Sequence, residues 1–143
     1  MKLLHRKPAP ITREIIPEEQ RLALIEKLLG IPIRIEIVIQ GIARRMTGGC
    51  ELKSWVCLYL SNGGLYFLPT IDRMYSVVND NGSGWRGNLS ADALGLAASM
   101  LGYSHMSFTG RLEFDECCDN QYFLLKEYVA THNEAVNIRQ AIA

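Results

Sequence analysis

The sequence lacks an excess of charge of either sign. Its 143 residues include 15 Lys and Arg and 15 Asp and Glu, so the formal net charge at pH 7 is zero. A protein that grips nucleic acid mainly through phosphates is expected to be basic. A protein that imitates the DNA backbone is expected to be strongly acidic. The whole-chain composition matches neither class, so a nucleic-acid role would need a local basic patch.

Long apolar runs are also absent. No stretch approaches the about 20 apolar residues that cross a bilayer, and the charged residues 1–7 are not followed by the apolar segment of a secretory signal. Hydrophobic residues make up 48% of the chain and charged residues 21%, which is typical of a globular protein. We therefore expect a cytoplasmic protein that does not associate with membranes.

Signatures of metal sites and of catalysis are scarce. The four cysteines form no Cys-x-x-Cys, and none of the three histidines has metal-ligand spacing with another histidine or a cysteine. No segment matches a phosphate-binding loop or the Gly-x-Ser-x-Gly frame of a nucleophilic serine. A pair of Cys117 or Cys118 with His105 stays open, because such groups meet in space rather than in sequence. The sequence predicts reduced thiols, no metal, no cofactor and no enzyme.

Residues 113–119 contain a local cluster of acidic side chains. Its members are Glu113, Asp115, Glu116 and Asp119. Carboxylates at short spacing can bind a hard cation. The segment lacks the glycine and the final glutamate of an EF-hand loop, so we expect a solvated acidic face at the start of a helix.

The most informative stretch is residues 54–69, where two apolar runs flank Ser61-Asn62-Gly63-Gly64. Asn and Gly tolerate the positive φ that a tight hairpin turn requires. The flanking runs are rich in aromatic and β-branched residues and apolar on both faces, which indicates a strand pair buried within a sheet. Pro69 is expected to end the hairpin, because proline cannot donate to a ladder.

The rest of the chain predicts a single α+β domain over residues 17–143, with one antiparallel sheet packed against four to five helices. Residues 74–79 and 84–89 are predicted as further strands of that sheet. The predicted helices are 17–29, 36–47, 91–101, 119–131 and a last one from residue 133. Residues 33–40 also alternate as a strand would, so the second helix competes with a strand. Gly102 is predicted to end its helix, and residues 103–116 are predicted to be irregular.

Residues 1–16 are predicted to be an irregular, basic lead-in, because Pro8 and Pro10 oppose a helix. Its cations are Lys2, Arg6, Lys7 and Arg13. These could form a nucleic-acid arm or a solvated tail. The pair Arg44-Arg45 fits the negative end of the second helix dipole better than a phosphate clamp.

Three spaced motifs give the chain a resemblance to the ArdB/KlcA antirestriction family. Trp55 followed by Leu-Ser-Asn-Gly-Gly-Leu-Tyr-Phe-Leu-Pro at 60–69 is similar to that family's Trp…Leu-Ser-Asn-Gly-Gly-Phe-Tyr-Met-Ala-Pro signature. Residues 87–95 resemble its Ser-Ala-Asp-Ala-x-Gly-Ile helix start. Residues 121–125, 132–135 and 138–142 resemble its closing helices. The likeness runs from about residue 12 to residue 143.

This resemblance implies an accessory protein of plasmids, prophages or genomic islands that protects incoming DNA from type I restriction enzymes. It implies inhibition without DNA mimicry, acting directly or indirectly on the restriction-modification complex, and an antiparallel sheet with helices around it. Three features depart from the family pattern. The Gly-Gly pair at 48–49 lies further upstream of Trp55 than usual, Asn133 replaces a proline after His132, and Ala143 replaces an aspartate that family members often carry.

The residues expected to contact a partner are the hairpin tip Ser61, Asn62, Gly63 and Gly64 and the helix start Ser90 and Asp92. Each also has an ordinary structural explanation, because Asn-Gly makes a turn in any protein and Ser-x-Asp caps a helix. An alternative function is a DNA-binding accessory factor that obstructs translocation. It would use Lys2, Arg6, Lys7, Arg44 and Arg45 for weak DNA contact.

Overall fold

The fold is α+β, as predicted. A computed structural model describes residues 9–143, which form five strands and five helices. In chain order the elements are β1 (Arg13–Ile16), α1 (Glu18–Leu29), α2 (Ile35–Met46), β2 (Trp55–Leu60), β3 (Leu65–Pro69), β4 (Tyr75–Val78), β5 (Arg86–Leu89), α3 (Ala91–Met106), α4 (Leu112–Val129) and α5 (Ala135–Ile142). Across this described part of the chain, every helix is too short or too polar to cross a membrane.

The strands form two antiparallel sheets rather than the predicted single sheet. One sheet has the order β1-β2-β3 and contains the predicted hairpin, with Leu58 opposite Tyr66. The other is the pair β4-β5, in which Tyr75 lies opposite Leu89. Pro69 ends β3 as expected, and the residues between it and Tyr75 carry the chain out of the first ladder.

The lead-in is not irregular throughout, because Arg13–Ile16 forms the edge strand β1. It pairs with β2 in the register Arg13 to Leu60 and Ile16 to Cys57. The β-branched pair at 15–16 suits a strand, and the prolines that oppose regular structure lie upstream of it. Lys2, Arg6 and Lys7 lie outside the described residues.

The helical reading of residues 36–47 is confirmed by α2. Its buried side chains are Ile35, Ile39, Ile42, Ala43 and Met46, which recur at three- and four-residue steps. Burial of this stripe outweighs the β-propensity of the isoleucines. The prediction for α1 is also confirmed, and Gly30 ends it with a φ of 85°.

Helix α3 lies at the centre of the molecule and is longer than predicted. Eleven of its 16 residues are buried, so it packs on all sides. Gly102 does not end it. A Cβ there would lie 2.8 Å from Ile39 Cγ1, so this glycine lets α2 approach α3 closely. Gly95 does the same for β3, because its Cβ would lie 2.4 Å from the Phe67 carbonyl oxygen.

The prediction of an irregular segment over 103–116 is wrong, because α3 reaches Met106 and α4 begins at Leu112. Asp115 explains the early start of α4. Its carboxylate accepts hydrogen bonds from the backbone N–H groups of Thr109 (3.1 Å) and Gly110 (2.9 Å). These bonds fix the turn that enters the helix, and an acidic first turn favours the helix dipole. Within residues 9–143, no three acidic, histidine or cysteine side chains are grouped to hold a metal ion.

The outer edge of β3 is closed by side chains of two helices. Ser99 Oγ of α3 accepts a hydrogen bond from Phe67 N at 3.1 Å, and Gln121 Oε1 of α4 accepts one from Leu65 N at 2.8 Å. Tyr103 OH donates to the Leu65 carbonyl at 2.7 Å. All three side chains are buried, so the edge is satisfied without another strand.

Candidate functional site

The carboxylate of Asp92 is the centre of the most extensive polar network in the described structure. Its Oδ1 accepts hydrogen bonds from Tyr66 OH and from Arg13 Nη1, both at 2.6 Å. Its Oδ2 lies 2.8 Å from His132 Nε2. The network therefore joins β1, β3, the first turn of α3 and the segment that connects α4 to α5.

The hydrogen bonds around His132 determine which ring nitrogen carries the proton in the neutral side chain. The backbone N–H of Glu134 donates to His132 Nδ1 at 2.9 Å. Nδ1 is therefore an acceptor, and Nε2 carries the proton that is donated to Asp92. Because both ring nitrogens are engaged, this histidine has no free nitrogen to serve as a general base.

Glu134 extends the network to the start of α3. Its Oε1 accepts a hydrogen bond from Ser90 N at 2.9 Å, and its Oε2 accepts one from Ser90 Oγ. Ser90 Oγ in turn accepts from Ala93 N at 3.1 Å, which confirms the predicted helix cap. Sequence reasoning did not identify Tyr66, Arg13, His132 or Glu134 as site residues, although three of these four lie in the motifs that carry the family resemblance.

Burial sets the ionisation of the Tyr66 hydroxyl. Removal from water, followed by the charge of Asp92, raises the pKa of Tyr66 far above its ordinary value. The hydroxyl therefore stays protonated and donates to Asp92 while it accepts from Arg13 Nη1 at 2.8 Å. Partial burial acts to lower the pKa of Arg13, but the hydrogen bond to Tyr66 and the attraction of Tyr66 and Asp92 raise it on balance.

The hairpin tip is docked on α4. Asn62 Nδ2 donates to the Leu124 carbonyl at 3.0 Å and to Glu127 Oε1 at 2.8 Å. Asn62 Oδ1 accepts from Gly64 N at 2.9 Å, which closes the turn. Gly63 has a φ of 96°, as the Asn-Gly pattern predicts. Asn62 and the glycines therefore shape the turn, and Ser61 is the exposed member of the four.

The beginning of β1 connects the hairpin tip to the Asp92 network. Thr12 N donates to Ser61 Oγ at 2.9 Å, and Ser61 N donates to the Thr12 carbonyl at 2.8 Å. The next residue, Arg13, reaches Asp92. The structure therefore brings both predicted groups of site residues into one region, with side-chain exposures of 46% for Arg13 and 25% for Asp92.

The structure does not assemble the cysteine–histidine pair that the sequence left open. Cys118 is buried, and burial raises its pKa to about 12. His105 makes no hydrogen bond to a thiol among the described residues. It instead lines a cavity between α2, α3 and α5. A thiol with a raised pKa carries little thiolate at neutral pH and is a poor nucleophile.

Three comparisons relate the chain to known proteins. Residues 50–143 match the family model described as "Antirestriction protein". The antirestriction protein KlcA of Escherichia coli is 32% identical over 137 residues, which cover 93% of this chain and 95% of KlcA. The uncharacterized protein YafX of Escherichia coli strain K12 is 30% identical over 135 residues, which cover 89% of this chain and 84% of YafX.

A solved structure from work on the KlcA and ArdB proteins superposes with a TM-score of 0.83 at 28% identity, and covers 96% of this chain and 99% of that one. Those two proteins are described as having a novel fold and antirestriction activity against type I DNA restriction systems in vivo but not in vitro. The family match over residues 50–143 and the whole-chain identity to KlcA agree: the chain belongs to the antirestriction protein family.

Proposed function

We propose that this protein relieves the cleavage of incoming DNA by type I restriction endonucleases, and that it acts through proteins of the cell rather than as a DNA mimic. The similarity to KlcA along nearly the whole chain carries the proposal. The activity described for KlcA and ArdB appears in vivo but not in vitro. That difference supports an indirect mechanism, in which a cellular component absent from the purified reaction is required.

The charge distribution supports action without DNA mimicry. A mimic presents an extended array of unpaired carboxylates, whereas this chain balances 15 acidic with 15 basic residues. The carboxylate of Asp92, at the centre of the network, is occupied by Arg13, Tyr66 and His132. Such an acid is poorly suited to stand in for a phosphate, because its charge is compensated within the protein.

The same contacts support an inhibitor without chemistry of its own. His132 has both ring nitrogens in hydrogen bonds. Burial raises the pKa of Cys57 and of Cys118 to about 12. A nucleophile paired with a free general base is what an enzyme of the cysteine type would need.

We further propose that the partner is contacted by the exposed parts of the region that contains Ser61, Asn62, Gly63, Gly64, Ser90 and Asp92. Within it, Ser61 is exposed and Asp92 is one-quarter exposed. Asn62 and Gly63 hold the tip against α4, and Ser90 caps α3. These residues therefore act by keeping Ser61 and Asp92 in position.

The test is phage plating on a host with a type I restriction system, with modification scored in parallel. The wild-type protein is expected to raise the plating efficiency of unmodified phage while modification continues. Replacement of Ser61 by Arg should reduce this relief, whereas the same change at Ser83, an exposed serine in the β4–β5 turn, should not. No relief by the folded wild-type protein would refute the proposed function, and equal relief by both variants would refute the proposed surface.

The alternative, a DNA-binding factor that obstructs translocation, makes a different prediction. It requires retention of the protein on DNA at low salt, with affinity that falls steeply as salt rises. Of the cations it would use, Arg44 lies 3.8 Å from Glu51, which offsets part of its charge. Salt-dependent retention that is lost when Arg44 and Arg45 are both changed to Gln would favour this alternative.

A further inference from the structure

Strand β1 is an edge strand, and its ladder with β2 shows which of its backbone groups point outward. Ser61 N donates to the Thr12 carbonyl at 2.8 Å, which makes these two residues a hydrogen-bonded pair. Such pairs alternate along an antiparallel ladder, so Glu14 also bonds to β2. The N–H and C=O groups of Arg13 and Ile15 therefore point away from β2.

The outward edge of β1 is open. Within residues 9–143, its N–H and C=O groups make no hydrogen bond to another element, and Ile15 is 68% exposed. The opposite edge of the same sheet differs, because side chains of α3 and α4 bond to the outward backbone groups of β3. An open edge is a template for pairing with another chain.

A shallow depression lies on one face of the β1–β2 pair. The residues that line it are Thr12, Arg13, Glu14, Tyr59, Leu60 and Ser61. Its volume is about 280 Å³, which is below the about 300–1,000 Å³ of small-molecule sites, so its size suits a single side chain. Glu14 makes no ion pair within residues 9–143, whereas the guanidinium of Arg13 is bonded to Asp92. The uncompensated carboxylate favours a basic side chain.

The alternation of β1 sets the pattern of a segment that pairs with it. Successive side chains of a strand point to opposite faces, so Glu14 and Ile15 project to opposite sides of the sheet. Successive residues of an added strand would lie beside Ile15 and beside Glu14 in turn. Cross-strand pairs favour an apolar residue next to Ile15 and an opposite charge next to Glu14.

The open edge adjoins the partner surface proposed above. Thr12 N donates to Ser61 Oγ at 2.9 Å, and Arg13 Nη1 donates to Asp92 Oδ1 at 2.6 Å. A protein that contacts Ser61 and Asp92 therefore lies next to β1 as well.

We propose that the protein partner supplies an extended segment that pairs with β1 and becomes a fourth strand of this three-stranded sheet. The segment carries a β-branched or aromatic residue beside Ile15 and a Lys or Arg beside Glu14. Main-chain hydrogen bonds to Arg13 and Ile15 provide affinity, and the two side chains provide selectivity. The partner itself rests on the proposed function, whereas the open edge is a property of this chain alone.

Amide hydrogen exchange of the purified full chain tests whether the edge is open. The amides of Glu14 and Ile16 bond to β2 and should exchange slowly. Those of Arg13 and Ile15 should exchange faster by about tenfold or more, because they face solvent. The inference is overturned if the four amides exchange at similar rates.

Ile15→Pro tests the main-chain pairing in the phage-plating assay. Proline is tolerated in an edge strand where its nitrogen faces away from the ladder, but the added strand loses a donor. Relief of restriction at limiting expression should fall about tenfold, and Ile15→Val, which keeps the N–H, should lose much less. Ser76→Pro is the matched control, because the N–H of this exposed residue of β4 points away from β5. It should relieve restriction as the wild type does.

Glu14→Lys tests the charge of the depression. It should also reduce relief about tenfold, whereas Glu26→Lys, on an exposed residue of α1, should not. All variants are compared at equal amounts of folded protein. Should Ile15→Pro not fold, Glu14→Lys decides, and full relief by that variant overturns the inference.

Two further outcomes of the plating assay overturn strand addition. One is full relief by Ile15→Pro. The other is an equal loss in Ile15→Val and Ile15→Pro, because the side chain and not the backbone would then make the contact. Absence of relief by the folded wild-type protein instead refutes the proposed function, and with it the partner, even where hydrogen exchange shows an open edge.

Discussion

Replacement of Asp92 by Ala tests whether the Asp92 network holds the fold together. The change removes the acceptor of three donors: Tyr66 OH, His132 Nε2–H and Arg13 Nη1–H. Tyr66 is buried, and the His132 side chain is only 10% exposed. Both donors would then be left largely out of reach of water, whereas Arg13 would be rehydrated.

The magnitude follows from these exposures. A buried donor without its acceptor costs about 1–3 kcal/mol, and an exposed ion pair such as that of Arg13 contributes about 0.2–1 kcal/mol. With two such donors and one such ion pair, we expect Asp92→Ala to lower the free energy of unfolding by roughly 2–7 kcal/mol. Tyr66→Phe removes one donor together with its need for an acceptor, and should cost only about 1 kcal/mol.

A double-mutant cycle in urea, followed by tryptophan fluorescence, measures the coupling of Asp92 and Tyr66. In the Asp92→Ala background the hydroxyl of Tyr66 has lost its carboxylate, so Tyr66→Phe should cost less there than in the wild type. Residues in one network typically couple by about 0.5–3 kcal/mol. If the two losses add to within about 0.5 kcal/mol, the bond between these residues contributes nothing measurable and the reasoning fails.

Three further predictions follow from other parts of the molecule. Gly95→Ala should destabilise the protein by about 1–3 kcal/mol, because the new Cβ would meet the backbone of β3. Gly41→Ala should stabilise it by about 0.5–1 kcal/mol, because a Cβ on this residue of α2 lies in open space. Equal effects of the two changes on urea unfolding would contradict this prediction. Hydrogen bonds, led by that from the Thr109 side chain, lower the pKa of Asp115 below its ordinary value of 3.8. The Asp115 carboxylate should thus contribute fully to stability above pH 3.8, and this contribution should fall as the pH drops through the lowered pKa. The contribution should be absent in Asp115→Asn. NMR titration of Asp115 and acid unfolding of both proteins measure these effects. A thiol reagent under native conditions should modify the half-buried Cys50 and Cys117 well before the buried Cys57 and Cys118. Equal modification rates for all four thiols would rule this out.

Much of the fold could be predicted from local patterns. The turn chemistry of Asn62 and Gly63 identifies the hairpin, and Ser90 marks the start of α3. The helical stripe of α2 could be read despite its isoleucines. In each case the pattern that predicts the element lies within a short stretch of the chain, so the sequence alone shows it.

The wrong predictions of secondary structure concern residues whose state depends on contacts that a local sequence pattern does not show. Gly102 has the sequence features of a helix end, but a contact with α2 makes it a packing residue in mid-helix. Arg13–Ile16 becomes a strand only because β2 lies beside it. Asp115 begins α4 early through hydrogen bonds to a turn five and six residues before it. Neither a contact between distant segments nor a side-chain bond to a turn is visible in local periodicity.

In the candidate site, too, residues with a local sequence pattern could be predicted and contacts between distant segments could not. Asp92 and Ser90 could be identified from the sequence, but their hydrogen-bond partners could not. Those partners lie 26–79 residues away from Asp92 and 44 residues away from Ser90. The motifs behind the family resemblance meet here, because Tyr66 belongs to the first motif, Asp92 to the second and His132 to the third. The occurrence of all three motifs in one chain is therefore explained by the hydrogen bonds that join them, without reference to function.

Because Asp92 both supports the fold and belongs to the proposed partner surface, an experiment must separate loss of partner contact from loss of folded protein. Asp92→Asn and Gly95→Ala are both expected to destabilise the protein, but Gly95 is buried under β3 and cannot touch a partner. Relief of restriction should be measured for both variants and compared at the same fraction of folded protein, set by growth temperature. If Asp92 contacts the partner, as we propose, Asp92→Asn should give less relief than Gly95→Ala at equal folded fraction. If the two variants coincide, Asp92 serves the fold alone, and the contact surface would have to be sought around Ser61.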